Sequence, residues 1–342
     1  MRTLGNLRAT VSTWLLVALV ALAVLPGAAA ARQATPAATP SDPLAASVAW
    51  LLAQQDASGG FPGLSGELDP GVTTDAALAL AAVASTDPAA PPALDRAVAY
   101  LAANGEAYAQ TGPGQAAKLA LAAVAGGHDP RSFAGFDLFT EMQNPPTTTV
   151  EHPIAGIWGD SLYAHALVML AFSSVGELVP DAALEPLRAT QSVDGGWAFD
   201  GSTSAGAADS NTTSLVIQAL VAAGFDDSDL IPPAIAFLQT LRAPDGSGYA
   251  YGPGEPLTAD ANSTALVVQA LIATGADPGE ALTALAAFQL PDGSLRWQQA
   301  ESDPNLLATL QGIPALAQKP LPVVTACPAD SDASDDCVQL AA

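Results

Sequence analysis

The sequence predicts an all-α fold, an (α/α)6 toroid in which six helical hairpins close into a ring. Three observations carry this prediction. A Gly-rich motif recurs at a near-constant interval, with 51 residues from Asp194 to Asp245 and 47 from Asp245 to Asp292. Each copy is followed by a segment that is apolar almost all round, such as 164–172, 215–223 and 266–273. Each such segment alternates with an amphipathic one, such as 94–101 or 181–188. A helix apolar on every face must be surrounded, whereas an amphipathic one faces water. Fixed-period repeats are the mark of stacked supersecondary units, and a definite number of them favours a closed ring over an open, capped solenoid.

The elements justify this in order. Residues 1–31 carry the pattern of an export signal: Arg2 and Arg8, an uncharged apolar run from Trp14 to Leu25, then Pro26, Gly27 and a string of alanines. The apolar run is shorter than the roughly 20 residues that a membrane span needs, and no second run of that length follows. A secreted or cell-envelope location is therefore expected, with no membrane span in the mature chain. Residues 32–43, rich in Ala, Thr and Pro, form a flexible leader.

The ring is expected over 44–318. Its Gly-rich copies are 55–61, a degenerate one at Asn104-Gly105, a strongly diverged one near 145–149, then 191–197, 242–247 and 289–294. The apolar helices start at polar residues that suit helix caps: Asp209 before Asn211, Asp260 before Asn262, and Asp303 before Asn305. Asn211 and Asn262 also begin glycosylation sequons, but their recurrence at equivalent places is explained by capping. The tail, 319–342, is irregular and acidic. Cys327 and Cys337 lie there without a nearby His, so a local disulfide is expected rather than a metal site.

Charge narrows the partners. Ten basic residues stand against 34 acidic ones, a net charge of −24. Such a surface repels nucleic acid and anionic membranes. A small apolar ligand or a protein partner remains open, with a monomer expected and no cofactor or metal implied.

Candidate binding residues fall at the starts of the inner helices and in the loops above them. Asp75, Gln115, Asp160, Tyr163, Asn211, Asn262 and Asn305 supply polarity there, and Trp158, Trp197, Phe199, Tyr249, Tyr251 and Trp297 supply aromatic surface. A few polar groups converging among aromatics is the usual make-up of a ligand pocket. Trp197 and Trp297 are also suited to packing their own loops. His165 lies on an apolar helix where Thr213 and Thr264 stand in their repeats, and reads either as a cavity residue or as a satisfied core histidine. Lys118, a lone charge on another inner helix, either faces the cavity or snorkels to a helix end. The departure from the repeat over 145–160, with Glu151 and His152, is a natural place for function.

Gln191 to Trp197, a Gln-x-x-Asp-Gly-Gly-Trp string, resembles the QW motif of the terpenoid cyclase and protein prenyltransferase superfamily, whose α/α toroid the vitamin B12 carriers share. The resemblance covers most of 44–318 and implies the toroid. It implies activity only where the family's own residues stand. Triterpene cyclases use an Asp-x-Asp-Asp acid, whereas this chain has Asp226-Asp227-Ser228-Asp229 in a link between helices. Prenyltransferases hold zinc with late Asp, Cys and His residues, but His128, His152 and His165 all come early. The B12 carriers add a β domain, for which the residues after Gln318 are too few. The resemblance thus implies a non-catalytic toroid with an isoprenoid-like or corrinoid-like ligand at the cavity mouth. Two enzyme alternatives stay open: a terpene cyclase lacking the usual acid, and an (α/α)6 glycosidase or polysaccharide lyase using Glu151, Asp160, Asp209 or Asp260.

Overall fold

A computed structural model describes residues 42–143, 154, 156–225 and 229–323. The expected export signal, most of the leader, Glu151, His152, Asp226 to Ser228, and Cys327 with Cys337 lie outside the described residues.

Among the described residues there are thirteen α-helices and no strand beyond isolated bridges. In chain order they are α1 (Pro43–Gln54), α2 (Pro70–Ala82), α3 (Ala90–Asn104), the single turn α4 (Glu106–Ala109), α5 (Pro113–Ala125), α6 (Leu138–Gln143), α7 (Leu162–Ser174), α8 (Leu184–Thr190), α9 (Ser210–Ala222), α10 (Ile231–Thr240), α11 (Ala261–Ala273), α12 (Gly279–Ala286) and α13 (Leu306–Leu316). Six of them form the inner wall. Helix α2 packs on α5, α5 on α7, α7 on α9, α9 on α11, α11 on α13, and α13 returns to α2. The ring is closed, as the fold class required. Helices α3, α6, α10 and α12 flank it, and α1 packs against α13.

Five of the six inner helices begin alike, and the sixth, α5, starts at Gly112 without a side-chain cap. Asp69, Ser161, Asp209, Asp260 and Asn305 each accept the backbone N–H three residues on, at 2.7–3.1 Å. Such a bond satisfies one of the orphan amides of the first turn. This corrects the register read from the sequence. Asn305, not Asp303, caps α13, so Asn305 corresponds to Asp209 and Asp260 rather than to Asn211 and Asn262. The counterpart of those asparagines on α13 is Leu307, two residues inside the helix. Asp75 likewise lies well inside α2, whose cap is Asp69.

A second recurring device ties each Gly-rich loop to the helix behind it. At the fourth helical position Thr73, Thr213, Thr264 and Thr309 accept the backbone N–H of Phe61, Trp197, Tyr249 and Leu295, at 2.9–3.0 Å. On α7 that position is His165, whose Nδ1 accepts the N–H of Trp158 at 3.1 Å.

The loop glutamines join neighbouring hairpins. Gln55 donates to the carbonyls of Gly59 and Ala93, and Gln191 to those of Gly195 and Leu230. Gln289 does the same across the chain ends, to Gly293 and to Pro43 at 2.7 Å, with Ser47 Oγ donating to the Gly293 carbonyl. Gly59, Gly195 and Gly293 all have φ between 93° and 96°. A Cβ at each would run into the carbonyl of Arg96, Pro233 or Ala46 on the adjoining outer helix. Helix α1 is thereby the outer partner of α13, and the first helix completes the last hairpin.

The far end of the ring is stopped by the chain after α13. The Leu321 N–H donates to Gln218 Oε1 on the inner helix α9 at 2.9 Å, and Val323 is buried.

Candidate functional site

Counting from the corrected caps, the second, sixth and ninth residues of each inner helix share one face, since they are four and three apart on a 3.6-residue turn. The sixth position holds Asp75, Lys118, Leu167, Leu215, Leu266 and Gln311 from α2 to α13. The ninth holds Leu78, Leu121, Leu170, Gln218, Gln269 and Pro314, all buried. The second holds Gly71, Gly114, Tyr163, Asn211, Asn262 and Leu307. The second position is intermediate or exposed on four of the six helices, at Gly71, Tyr163, Asn211 and Leu307, and Leu307 reaches 48%. The space within the ring is thus a shallow funnel open at the helix N-termini.

One side of this funnel is polar. Lys118 Nζ lies 2.5 Å from Asp75 Oδ1, joining α5 to α2, with the side chains 24% and 16% exposed. Burial alone pushes the Lys118 ammonium down, but the Asp75 carboxylate, helped by Tyr108 and Tyr163, more than offsets it and the net shift is upward. Lys118 is therefore a fixed cation. Tyr108, from the single turn α4, stands beside the pair and over Gly71, where a Cβ would come within 3.0 Å of its ring. Burial, aided by Asp75 and Asp69 against Lys118, pushes its hydroxyl up to about 12. Burial raises Tyr163 as well. Both tyrosines are neutral hydrogen-bonding groups at ordinary pH.

The opposite side is mixed. Asn262 Nδ2 donates to Gln311 Oε1 at 2.9 Å across α11 and α13, beside Leu215, Leu266 and Leu307. Asn211 is half-buried and accepts from Ser210 Oγ at 3.2 Å. Asp209 and Asp260 are each 4% exposed. Burial raises both carboxyls, while the backbone and side-chain bonds of the cap pull them down.

The structure therefore brings Asp75, Tyr163, Asn211 and Asn262 to one funnel, with Lys118. It adds Tyr108 and Gln311, which sequence reasoning missed. Gln311 shares the sixth position with Asp75 and Lys118, a signal hidden until the caps are in register. Gln115 is exposed one position off that face and leans back over Gly112. Asn305 is committed to its cap. Trp197 is fully buried, its indole donating to the Leu187 carbonyl at 2.8 Å, and serves its loop. Trp297 differs from the expectation that it packs like Trp197. Leu295 fills that place, and Trp297, two residues on, is 42% exposed.

His165 resolves to the core reading. It is fully buried, with Nε2 2.9 Å from the Ala183 carbonyl and Nδ1 taken by Trp158. Those partners describe a neutral ring protonated at Nε2, and burial lowers its pKa accordingly. Trp158 stacks on it with centroids 5.1 Å apart and on Phe172 at 5.4 Å. Both candidates belong to the wall of the repeat. Asp160 and Tyr251 lie at the exposed rim. Among the described residues no group of three or more His, Cys, Asp or Glu side chains is placed to hold a metal, and no helix is long and apolar enough to cross a membrane.

No family model and no curated protein matches the chain. Solved structures do. A type II terpene cyclase, MstE from Scytonema, is 17% identical with a TM-score of 0.60, covering 80% of this chain and 96% of its own. An alpha-1,6-mannanase from Salegentibacter sp. HEL1_6 is 13% identical with a TM-score of 0.58, covering 81% and 99%. An unsaturated glucuronyl hydrolase specific for heparin is 11% identical with a TM-score of 0.56, covering 81% and 95%. At these identities what is shared is the fold: the chain is an α/α toroid of the kind on which both terpenoid cyclases and glycan-degrading enzymes are built.

Proposed function

We propose that this chain is an exported, non-catalytic binding protein that takes a small, largely apolar ligand with a polar head in the axial funnel. The observation that carries the reading is the Asp75–Lys118 pair. An acid that starts a cyclisation must be protonated, and a hydrolytic acid must be able to exchange its proton. Asp75 is instead engaged in an ion pair with Lys118, whose ammonium form that contact favours. The buried carboxylates nearest the rim, Asp209 and Asp260, are occupied as helix caps.

The polar side, Asp75, Lys118, Tyr108 and Tyr163, suits a hydroxylated head group. Leu215, Leu266 and Leu307 opposite suit an apolar body. A ligand of that outline is known on this fold, since MstE has been solved with geranylgeranyl dihydroxybenzoate. The amino-terminal sequence supports export.

Native mass spectrometry of the full chain with a geranylgeranylated phenol tests the reading. The expected result is a one-to-one complex from which the ligand is released unchanged, weakened by Lys118→Met. No complex would remove the funnel as a site for such ligands. Release of a cyclised or hydrolysed product would make the protein an enzyme.

A further inference from the structure

The rim of the funnel carries a second pattern, separate from its floor. Phe199, Tyr251 and Trp297 each lie two residues beyond the buried residue of their loop, Trp197, Tyr249 and Leu295. They are 51%, 54% and 42% exposed. Each turns its carbonyl to the first turn of the preceding inner helix: Phe199 accepts from the Leu162 N–H at 3.1 Å, Tyr251 from Ser210 at 2.7 Å, and Trp297 from Ala261 at 2.8 Å. The three aromatics are thus set by the same bond at the same place over α7, α9 and α11.

The residue after each N–H donor is polar, at the second helical position: Tyr163 after Leu162, Asn211 after Ser210 and Asn262 after Ala261. Packed helices lie about 8–10 Å apart, so the backbone anchors of the three aromatics on neighbouring helices are spaced on the order of two sugar rings rather than one. Half-exposed aromatic surface binds ring-shaped ligands whose C–H faces are apolar and whose edges carry hydroxyls, and Asn or Tyr side chains answer those hydroxyls. A unit repeated three times in register suits a ligand that repeats. The net charge of −24 disfavours a polyanion.

We propose that the arc Phe199–Tyr251–Trp297 is a binding surface for a neutral oligosaccharide or polysaccharide chain, running along the rim across α7, α9 and α11. It stands independently of the ligand assigned to the funnel.

Affinity electrophoresis of the full chain in native gels containing soluble mannan, a soluble β-glucan, soluble starch or polygalacturonate tests this. Retardation by at least one neutral polymer is expected, with apparent affinity reduced about fivefold by Trp297→Ala, the factor set by one aromatic contact, and lost in the Phe199→Ala/Tyr251→Ala/Trp297→Ala triple variant. The three side chains are half-exposed, so circular dichroism melting of the triple variant should match the parent. Three outcomes overturn the proposal: no neutral polymer retards the protein, polygalacturonate retards it more than any neutral polymer, or the triple variant is retarded as strongly as the parent. A triple variant that loses the geranylgeranylated phenol while neutral polymers never bind would instead assign the arc to the funnel's apolar ligand. Failure of the funnel reading alone leaves the retardation intact.

Discussion

Asp75 and Lys118 stabilise each other only as a pair. Removing one partner of an ion pair in the interior leaves an uncompensated charge, a loss of 3–5 kcal/mol when burial is complete. This pair opens on the funnel, so a loss of about 1–3 kcal/mol is expected for Asp75→Leu or Lys118→Met alone. The Asp75→Leu/Lys118→Met double variant should recover much of it, measured as a double-mutant cycle in urea. A double variant as unstable as the sum of the singles would show that the pair is not an energetic unit. His165 gives a prediction in pH. Burial lowers its folded pKa below the unfolded value of about 6.5. Its contribution is then complete above about pH 6.5 and is lost as pH falls through the folded value. Asp209 and Asp260, raised by burial, act with the opposite sign: their contribution is present at the acid end and lost as pH rises through the folded values. A His165→Asn variant, which keeps an acceptor for the Trp158 N–H, should therefore lose less melting temperature between pH 7.5 and 5.5 than the parent does. An unchanged slope would remove His165 as the titrating group. The choice between a cavity and a core histidine was not legible in the sequence, because it turns on Ala183 and Trp158, which only folding brings to the ring. The equivalence with Thr213 and Thr264 was legible, whereas the loop N–H that this position accepts was not.

At the scale of the element, the recurring unit is a loop locked from three sides: a glutamine amide, a glycine with positive φ, and a helical acceptor at the fourth position. Gln191→Ala removes two hydrogen bonds to carbonyls that stay buried, and about 1–3 kcal/mol is expected from the unsatisfied groups. Gly195→Ala adds both left-handed strain and a Cβ 2.5 Å from the Pro233 carbonyl. It should cost more than Gln191→Ala in thermal or chemical denaturation. The opposite order would mean that the amide, not the close approach, sets the hairpin spacing. The motif was read correctly where Gln, Gly and an aromatic coincide. It misled at 295–305, where Leu295 stands for the aromatic and Asn305 for the aspartate, and the eye paired Trp297 and Asp303 instead. Rim aromatics and loop-packing aromatics differ by two positions, and only the hydrogen bonds of the caps separate them.

For the whole molecule, closure depends on α1. Residue pairs 246 apart in sequence, Pro43 with Gln289 and Ser47 with Gly293, carry the last seam. Gly293→Ala is expected to open that seam. Limited proteolysis should then release the segment holding α1 before the rest is cut, whereas Gly246→Ala, where a Cβ meets nothing within 4 Å, should leave the seam intact despite its φ of 76°. Equal protection of α1 in both variants would argue against the seam. Ring closure and copy number were legible because buried and amphipathic helices must alternate to hide an apolar wall. The stopper formed by Leu321 and Val323 was not, since nothing in its composition marks it as part of the core. The seam also bears on how the protein is made. Synthesis delivers the amino terminus first, so α1 must wait for the final hairpin before its docking surface exists. Until α13 arrives, both flanks of a growing arc present uncovered alanine and leucine, and every intermediate is adhesive at its two ends. A chain built this way covers its apolar flanks late and all at once.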